Sequence, residues 1–406
     1  MRVLKPIPLA QRVHAPRLRM ADDEPDRHST WTELFYDLVF VVAVAAVGHR
    51  LAEDVSWRGL AEFSLLFLVV WYSWMGYTVY ADRFDSDDVI HRAFTGLQML
   101  AILAMAVYAA DAFGGTARGF IVAYVVVRLV LLTMNARAIW YLPEARPLLT
   151  RFVAGYSFDI LCWLASLAVD GPWRYYLWGI GISVSTGSIL AARRQQATIP
   201  LHLSHMPERM GLFTILVLGE AVLAVANGIQ GETLGAERAI AAAAAFIAAF
   251  GVWWLYFDNT SGEVLGRTVN DGREAAWVAL VWLWAHLPLA AAIVATGVGI
   301  EHLIAGDPDR ALATGDLALV CVGTAAIYAT LGLIHLTAHG RLRDVTDNKI
   351  LVRLGGAVAV IVVALLGRDL RPVALAVILA CIALIQITVD VIEEPLGDDE
   401  NVSRKA

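Results

Sequence analysis

An all-α bundle of membrane-crossing helices is the fold this sequence predicts, on three observations. Of its 406 residues, 58% are hydrophobic and 17% charged, against roughly 45–50% and ~25% in soluble domains, and the mean hydropathy is +0.62. The apolar residues fall into long runs, each close to the ~20 residues that cross a bilayer. The basic residues collect in alternate connections, the asymmetry that membrane insertion imposes.

Taken in order, Met1 to Thr30 is charged and lacks the apolar core of a signal peptide, so it is expected to remain uncleaved as a mobile cytoplasmic tail. Apolar runs bounded by Gly, Pro and charge then place twelve spans, at 31–51, 58–80, 91–111, 119–140, 150–170, 173–192, 208–229, 238–257, 274–298, 312–336, 348–367 and 372–392. The sixth and eleventh carry the weakest signal, being short or rich in glycine. Under this topology 22 of the 31 basic residues lie on the side of both termini and eight on the other, with Arg128 inside a span. That bias predicts cytoplasmic termini and an even number of spans. Cys162, Cys321 and Cys381 all fall in spans, as small polarisable packing residues.

Leu34–Gly48 aligns without gaps on Leu212–Ala226, LFYDLVFVVAVAAVG over LFTILVLGEAVLAVA, with more than half the positions identical. The segments that follow, WYSWMGYTVYAD and VWWLYFD, both run Trp, Tyr, Asp at the inner end of an even-numbered helix. The pattern suggests two parallel six-helix halves, an arrangement many transporters use. The expected division is a tail 1–30, a first half 31–192, a linker 193–207, a second half 208–392 and a tail 393–406.

Charge inside the spans marks the residues to watch, because an ionisable group in lipid is expensive and must face protein or water. Glu33 and Asp37 are four residues apart, so on a helix they share a face. Arg128, Asp159, Glu220 and His286 lie near mid-depth, Asp159 about 13 Å and Glu220 roughly 18 Å along their helices at ~1.5 Å per residue. Two acids, a permanent cation and a histidine suit a proton or ion pathway. Arg128 paired with Asp159 or Glu220 would equally serve as a structural pin. Gly219 beside Glu220 leaves room for a neighbouring backbone or a ligand.

At the cytoplasmic side, DRFDSDD (Asp82 to Asp88) reads as a solvated loop, with an embedded magnesium-diphosphate site as the sharper alternative. The pairs His202 and His205, and His335 and His339, read as interfacial histidines; no metal and no cofactor are predicted. Trp74, Tyr77 and Trp284 lie deep enough to line a cavity for an apolar or cationic ligand. The chain has no Walker loop, GxSxG elbow, Rossmann fingerprint or sensor-kinase domain, which excludes ATP-driven pumping and the commoner soluble chemistries.

TWTELFYDLVFVVAVA (Thr30 to Ala45), WYSWMGYTVYADRFDSDD (Trp71 to Asp88) and HLSHMPERMGLFTILVLGEAVLAV (His202 to Val225) resemble the signature segments of the bacterial low temperature requirement protein A family. The resemblance extends from about residue 28 to about 390. It implies an integral protein of the bacterial inner membrane, named for a requirement in cold growth, and no established reaction. The residues it carries over are Glu33, Phe35, Asp37, Asp82, Arg83, Asp87, Asp88, Glu208, Arg209, Gly219 and Glu220. Ala221 departs from the small hydroxyl residue expected there. The function expected first is a secondary transporter or ion-coupled carrier, with the bilayer and a small molecule or ion as partners and no nucleic acid. A membrane-embedded enzyme acting on a lipid or isoprenoid, and a structural or sensory protein, are the alternatives.

Overall fold

The computed structural model describes residues 13–19, 28–85, 88–196, 198–199, 201–202, 205–232, 235–258, 273–338 and 348–393. Asp87 and His339 lie outside them. The chain forms two units, one from Met1–Leu216 with Val269–Ala276, the other from Val217–Thr268 with Trp277–Ala406.

Twelve long helices stand where the twelve spans are expected. They are α1 Trp31–Glu53, α2 Trp57–Arg83, α3 Val89–Ala109, α4 Ala117–Tyr141, α5 Arg146–Ala165, α6 Pro172–Ala191, α7 His205–Ile229, α8 Ala236–Phe257, α9 Arg273–Ala305, α10 Thr314–Ala338, α11 Asn348–Leu366 and α12 Pro372–Glu393. Eleven are long and apolar enough to cross a membrane by length and composition, and the chain is an integral membrane protein of the all-α class. The exception is α6, whose first turns hold Arg174 and two tyrosines and whose second half is rich in Gly and Ser.

In the first unit, α1 packs on α2 and α3, α3 on α4, α4 on α5 and α5 on α6. Local chemistry sets the helix starts. Thr30 and Glu33 form a reciprocal capping box, the Glu33 amide donating to Thr30 Oγ1 at 3.3 Å and the Thr30 amide to Glu33 Oε2 at 2.7 Å. Ser56 caps α2 and Asp88 caps α3 through side-chain oxygens.

Part of the N-terminal segment expected to be a free tail is held against this unit. Arg17–Leu18 (β1) pairs antiparallel with Phe84–Asp85 (β2), and the Arg19 amide donates to the Arg83 carbonyl at 2.9 Å. Charge made the segment look unstructured, whereas its backbone is what binds.

In the second unit, α8 packs on α12, and α10 and α12 flank α11. Close approaches use small residues: a side-chain carbon at Gly251 would stand 2.8 Å from Ala383 Cβ, and one at Gly297 3.3 Å from Ala221 Cα. Pro288 sits inside α9 and withholds one backbone donor from it.

The α5/α6 contact shows how sharply such packing is tuned. Trp163 and Trp178 stack with centroids 4.4 Å apart, and a Cβ at Gly181 would lie 2.7 Å from Asp159 Oδ1 and 3.1 Å from Cys162 Cβ, while one at Gly179 meets nothing within 4 Å. Gly181→Ala is expected to lower stability by about 1–3 kcal/mol through overpacking. Gly179→Ala should be neutral or stabilising, by up to about 1 kcal/mol, through helix propensity. Tryptophan-fluorescence melts in detergent would compare the two.

A buried charge network across three helices

Three ladders of side chains spaced by four residues meet in the first unit. On α1 the ladder is Glu33 and Asp37; on α2 it is Trp74, Thr78 and Asp82; on α7 it is His205, Arg209 and Phe213. Spacing by four puts each set on one helix face, and the contacts show that the faces converge. Asp37, Trp74, His205 and Arg209 are fully buried, with Glu33 and Asp82 nearly so.

Arg209 Nη2 donates to Asp37 Oδ1 at 2.5 Å and reaches Thr78 Oγ1 at 3.4 Å, while Nη1 lies 3.9 Å from Glu33 Oε1. Trp74 Nε1 donates to the same Asp37 oxygen at 2.7 Å. Its ring stacks on Phe213 at 4.3 Å and lies under the guanidinium at 5.9 Å.

His205 continues the network. Its Nδ1 is 2.8 Å from Asp82 Oδ1 and its Nε2 3.5 Å from Glu33 Oε2. The other oxygen of Asp82 accepts from the His202 amide at 2.8 Å. Both ring nitrogens therefore face carboxylates, and both can donate only when the ring is an imidazolium.

Some buried atoms are unsatisfied: Asp37 Oδ2, Arg209 Nε and Nη1, and His205 Nε2 have no hydrogen-bond partner among the described residues. Beside them Tyr36 stacks on Tyr77 at 3.9 Å, and the Tyr77 hydroxyl lies 3.4 Å from His91 Nε2. Chemically the arrangement offers acids, a fixed cation and an imidazole in contact, with polar capacity left over. Such a set can hold and pass a proton.

Several expectations are corrected here. Asp82 and Arg83 form the buried last turn of α2 rather than a solvated loop. Arg83 Nε donates to the Ile199 carbonyl at 3.0 Å. Asp88 is buried as well: Arg137 holds it with bonds of 3.1 and 2.7 Å, and the His91 amide donates to it at 2.9 Å. Glu208 and Arg209 lie inside α7, Glu208 accepting from the Ser29 amide at 3.2 Å. Trp74 and Tyr77 are packed against side chains in the first unit, and Trp284 belongs to the second. Among the described residues no group of three or more His, Cys, Asp or Glu side chains is placed to hold a metal ion.

The four mid-depth residues are divided between the two units. Arg128 and Asp159 pair within the first unit, Nε to Oδ2 at 2.8 Å, and the Tyr124 hydroxyl donates to the same oxygen at 2.7 Å. Tyr72, Tyr156 and Tyr124 enclose the guanidinium, with centroids 4.4, 4.6 and 5.6 Å away. Glu220 and His286 lie in the second unit. Glu220 is half-buried, and the room expected at Gly219 faces outward, with nothing within 4 Å. His286 Nδ1 is 2.8 Å from the Trp282 carbonyl, and Nε2 is 3.0 Å from the Tyr256 hydroxyl. A carbonyl can only accept, so Nδ1 carries a proton and a neutral ring accepts from Tyr256 at Nε2.

His205, Thr78 and Phe213 were missed as members of the network, although the repeated spacing by four from His205 to Phe213 is readable. Arg353, in the span expected at 348–367, is buried and paired with Asp390 at 2.5 Å in the second unit.

Two expected outcomes follow from these pairs. Arg128→Met alone should cost about 3–5 kcal/mol by stranding the Asp159 charge, and adding Asp159→Leu should restore most of it; thermal melts of the single and double variants would measure the difference. At Asp88, outside the spans, burial opposes the charged carboxyl, but the Arg137 hydrogen bonds and the His91 amide win and hold its pKa below the ordinary 3.8. Its folded pKa is depressed, so its stabilisation is present at neutral pH and lost as pH falls through that folded value. The gap in melting temperature between the native chain and Asp88→Asn should therefore be open at pH 7 and close in acid below the usual aspartate range.

A protein of Rhizobium meliloti (strain 1021), described as uncharacterized protein RA0937, is 24% identical to this chain over 308 residues, covering 72% of the chain and 73% of the relative. No solved structure matches the chain. The family model described as bacterial low temperature requirement A protein (LtrA) matches residues 28–389, a stretch that holds every residue of the three-helix network. The chain belongs to that family.

Proposed function

We propose that this protein is a secondary transporter or ion-coupled carrier, and that the network of Glu33, Asp37, Asp82, His205 and Arg209 binds and releases the coupling proton. One observation carries the reading: the His205 ring faces Asp82 on one side and Glu33 on the other, next to an Asp37 that keeps one buried oxygen without a hydrogen bond among the described residues. A proton entering at Asp37 or His205 changes which helix Arg209 and His205 grip. Coupling in carriers takes this form, since a ligand shifts an equilibrium only by its differential affinity for two states. Half-buried Glu220 is a second proposed carrier of charge, in the other unit.

The surrounding topology belongs to the same proposal. The excess of basic residues on one side supports cytoplasmic termini in the inner membrane. The likeness of Leu34–Gly48 to Leu212–Ala226 supports two parallel six-helix halves, a plan suited to alternating access.

The test uses the full chain in liposomes loaded with a pH-sensitive dye, with a polar metabolite extract of the parent bacterium added outside. Proton movement dependent on the extract is expected from the native chain. Asp37→Asn should abolish it, and His205→Gln should alter its pH profile while both variants still insert. Turnover of a lipid extract in detergent, without any gradient and with no proton movement in liposomes, would overturn the carrier reading in favour of an embedded enzyme.

A further inference from the structure

A groove on the outer surface of the first unit, between α3 and α4, has the shape and charge of a lipid site. Leu97, Leu100, Ala101, Ala104 and Tyr108 form one stripe of α3, and Gly119, Val122, Ala123 and Val126 form the facing stripe of α4; between them lies a groove of about 480 Å³. Alanine and glycine make its floor and the larger aliphatic residues its rims, with Leu97, Leu100 and Val122 each 46% to 64% exposed. From Leu97 to Tyr108 the groove rises about 16 Å at ~1.5 Å per residue, close to the roughly 15 Å that one leaflet contributes to a ~30 Å hydrocarbon core.

The groove ends at a cation. Arg118 lines that end, is exposed, and has no hydrogen bond or ion pair among the described residues. The nearby acid, Asp111, accepts from the Gly115 amide at 2.6 Å within the α3/α4 turn and is not paired with Arg118. Arg118 is also the second residue of α4, whose cap residue Thr116 makes no side-chain bond to the helix, so the positive end of the helix points the same way. The Tyr108 ring closes over this end, because a side-chain carbon at Gly119 would stand 2.8 Å from it.

We propose that this groove is a binding site for an anionic phospholipid, one acyl chain lying along the alanine floor and the phosphate meeting Arg118 and the first turn of α4. A zwitterionic lipid fits the same trough, but its head group brings a compensating positive charge to a place that already has an arginine. Anionic head groups therefore bind preferentially. The inference is independent of the proton network, which lies among α1, α2 and α7.

To test it, the full chain stripped of lipid in detergent is titrated with palmitoyl-oleoyl phosphatidylglycerol or the matching phosphatidylcholine, and bound lipid is counted by native mass spectrometry. The first phosphatidylglycerol should be retained at a free concentration about fivefold below phosphatidylcholine. Arg118→Gln should erase that preference and Arg118→Lys keep most of it. Ala104→Phe, which fills the floor and leaves the charge, should also erase it, and Arg310→Gln, which removes an exposed arginine paired with Asp307 elsewhere, should not. Equal retention of the two lipids by the native chain, an unchanged preference in Arg118→Gln or Ala104→Phe, or displacement of the lipid by inorganic phosphate alone would overturn the proposal.

Discussion

Arg209 is the constraint around which the first unit is arranged. A guanidinium wholly removed from water is tolerable only where carboxylates and other acceptors reach it, and here Asp37 comes from α1, Thr78 from α2 and the arginine itself from α7. Those helices must bring their ends together for the charges to be met, whatever else the apolar faces prefer. Apolar surfaces in lipid discriminate little between partners, so a few buried polar contacts do much to set which helices meet and in what register. The i, i+4 ladders extend the constraint along each helix, carrying it from Trp74 through Thr78 to Asp82, and from Phe213 through Arg209 to His205.

Two other buried ion pairs show why this network differs in kind. Arg128 and Asp159 are enclosed by three tyrosines, one of which also donates to the carboxylate, and Arg353 pairs with Asp390 beside Gln386. Each joins an arginine directly to an acid. At Arg209 the acids outnumber the arginine that contacts them, and the balance is taken up by a histidine, the side chain best able to change charge near neutral pH. A matched pair fixes a structure, while an imidazole facing two carboxylates has a second protonation state within reach of neutral pH.

The N-terminal segment adds a second layer of closure at the same end of the unit. His14 donates its amide to Asp88, Arg137 bonds both Asp88 and the His14 carbonyl, and the Ser29 amide donates to Glu208. Backbone groups of a charged stretch thereby meet side chains at the starts of α3 and α7 and near the end of α4. Of the three helices of the network, α2 and α7 are thus also met by this segment at their ends.

The helices themselves were legible from hydropathy, because a span must be long and apolar to satisfy every backbone group away from water; among the described residues twelve helices stand at the expected places, eleven of them long and apolar enough to cross. The pairing of Glu33 with Asp37 on one face was also readable, since spacing along a helix is local geometry. Partner choice was not. Arg209 and His205 stand 172 and 168 positions beyond Asp37, and in sequence they sit in a polar stretch that resembles any loop leading into a span. Asp82 and Asp88 were misplaced for the same reason: a charge at a helix end reads as solvated until its counter-charge is seen beside it. Length, apolarity and local face are thus properties of a segment alone, whereas whether a charged residue is buried depends on what a distant segment brings to it, and only the tertiary structure decides that.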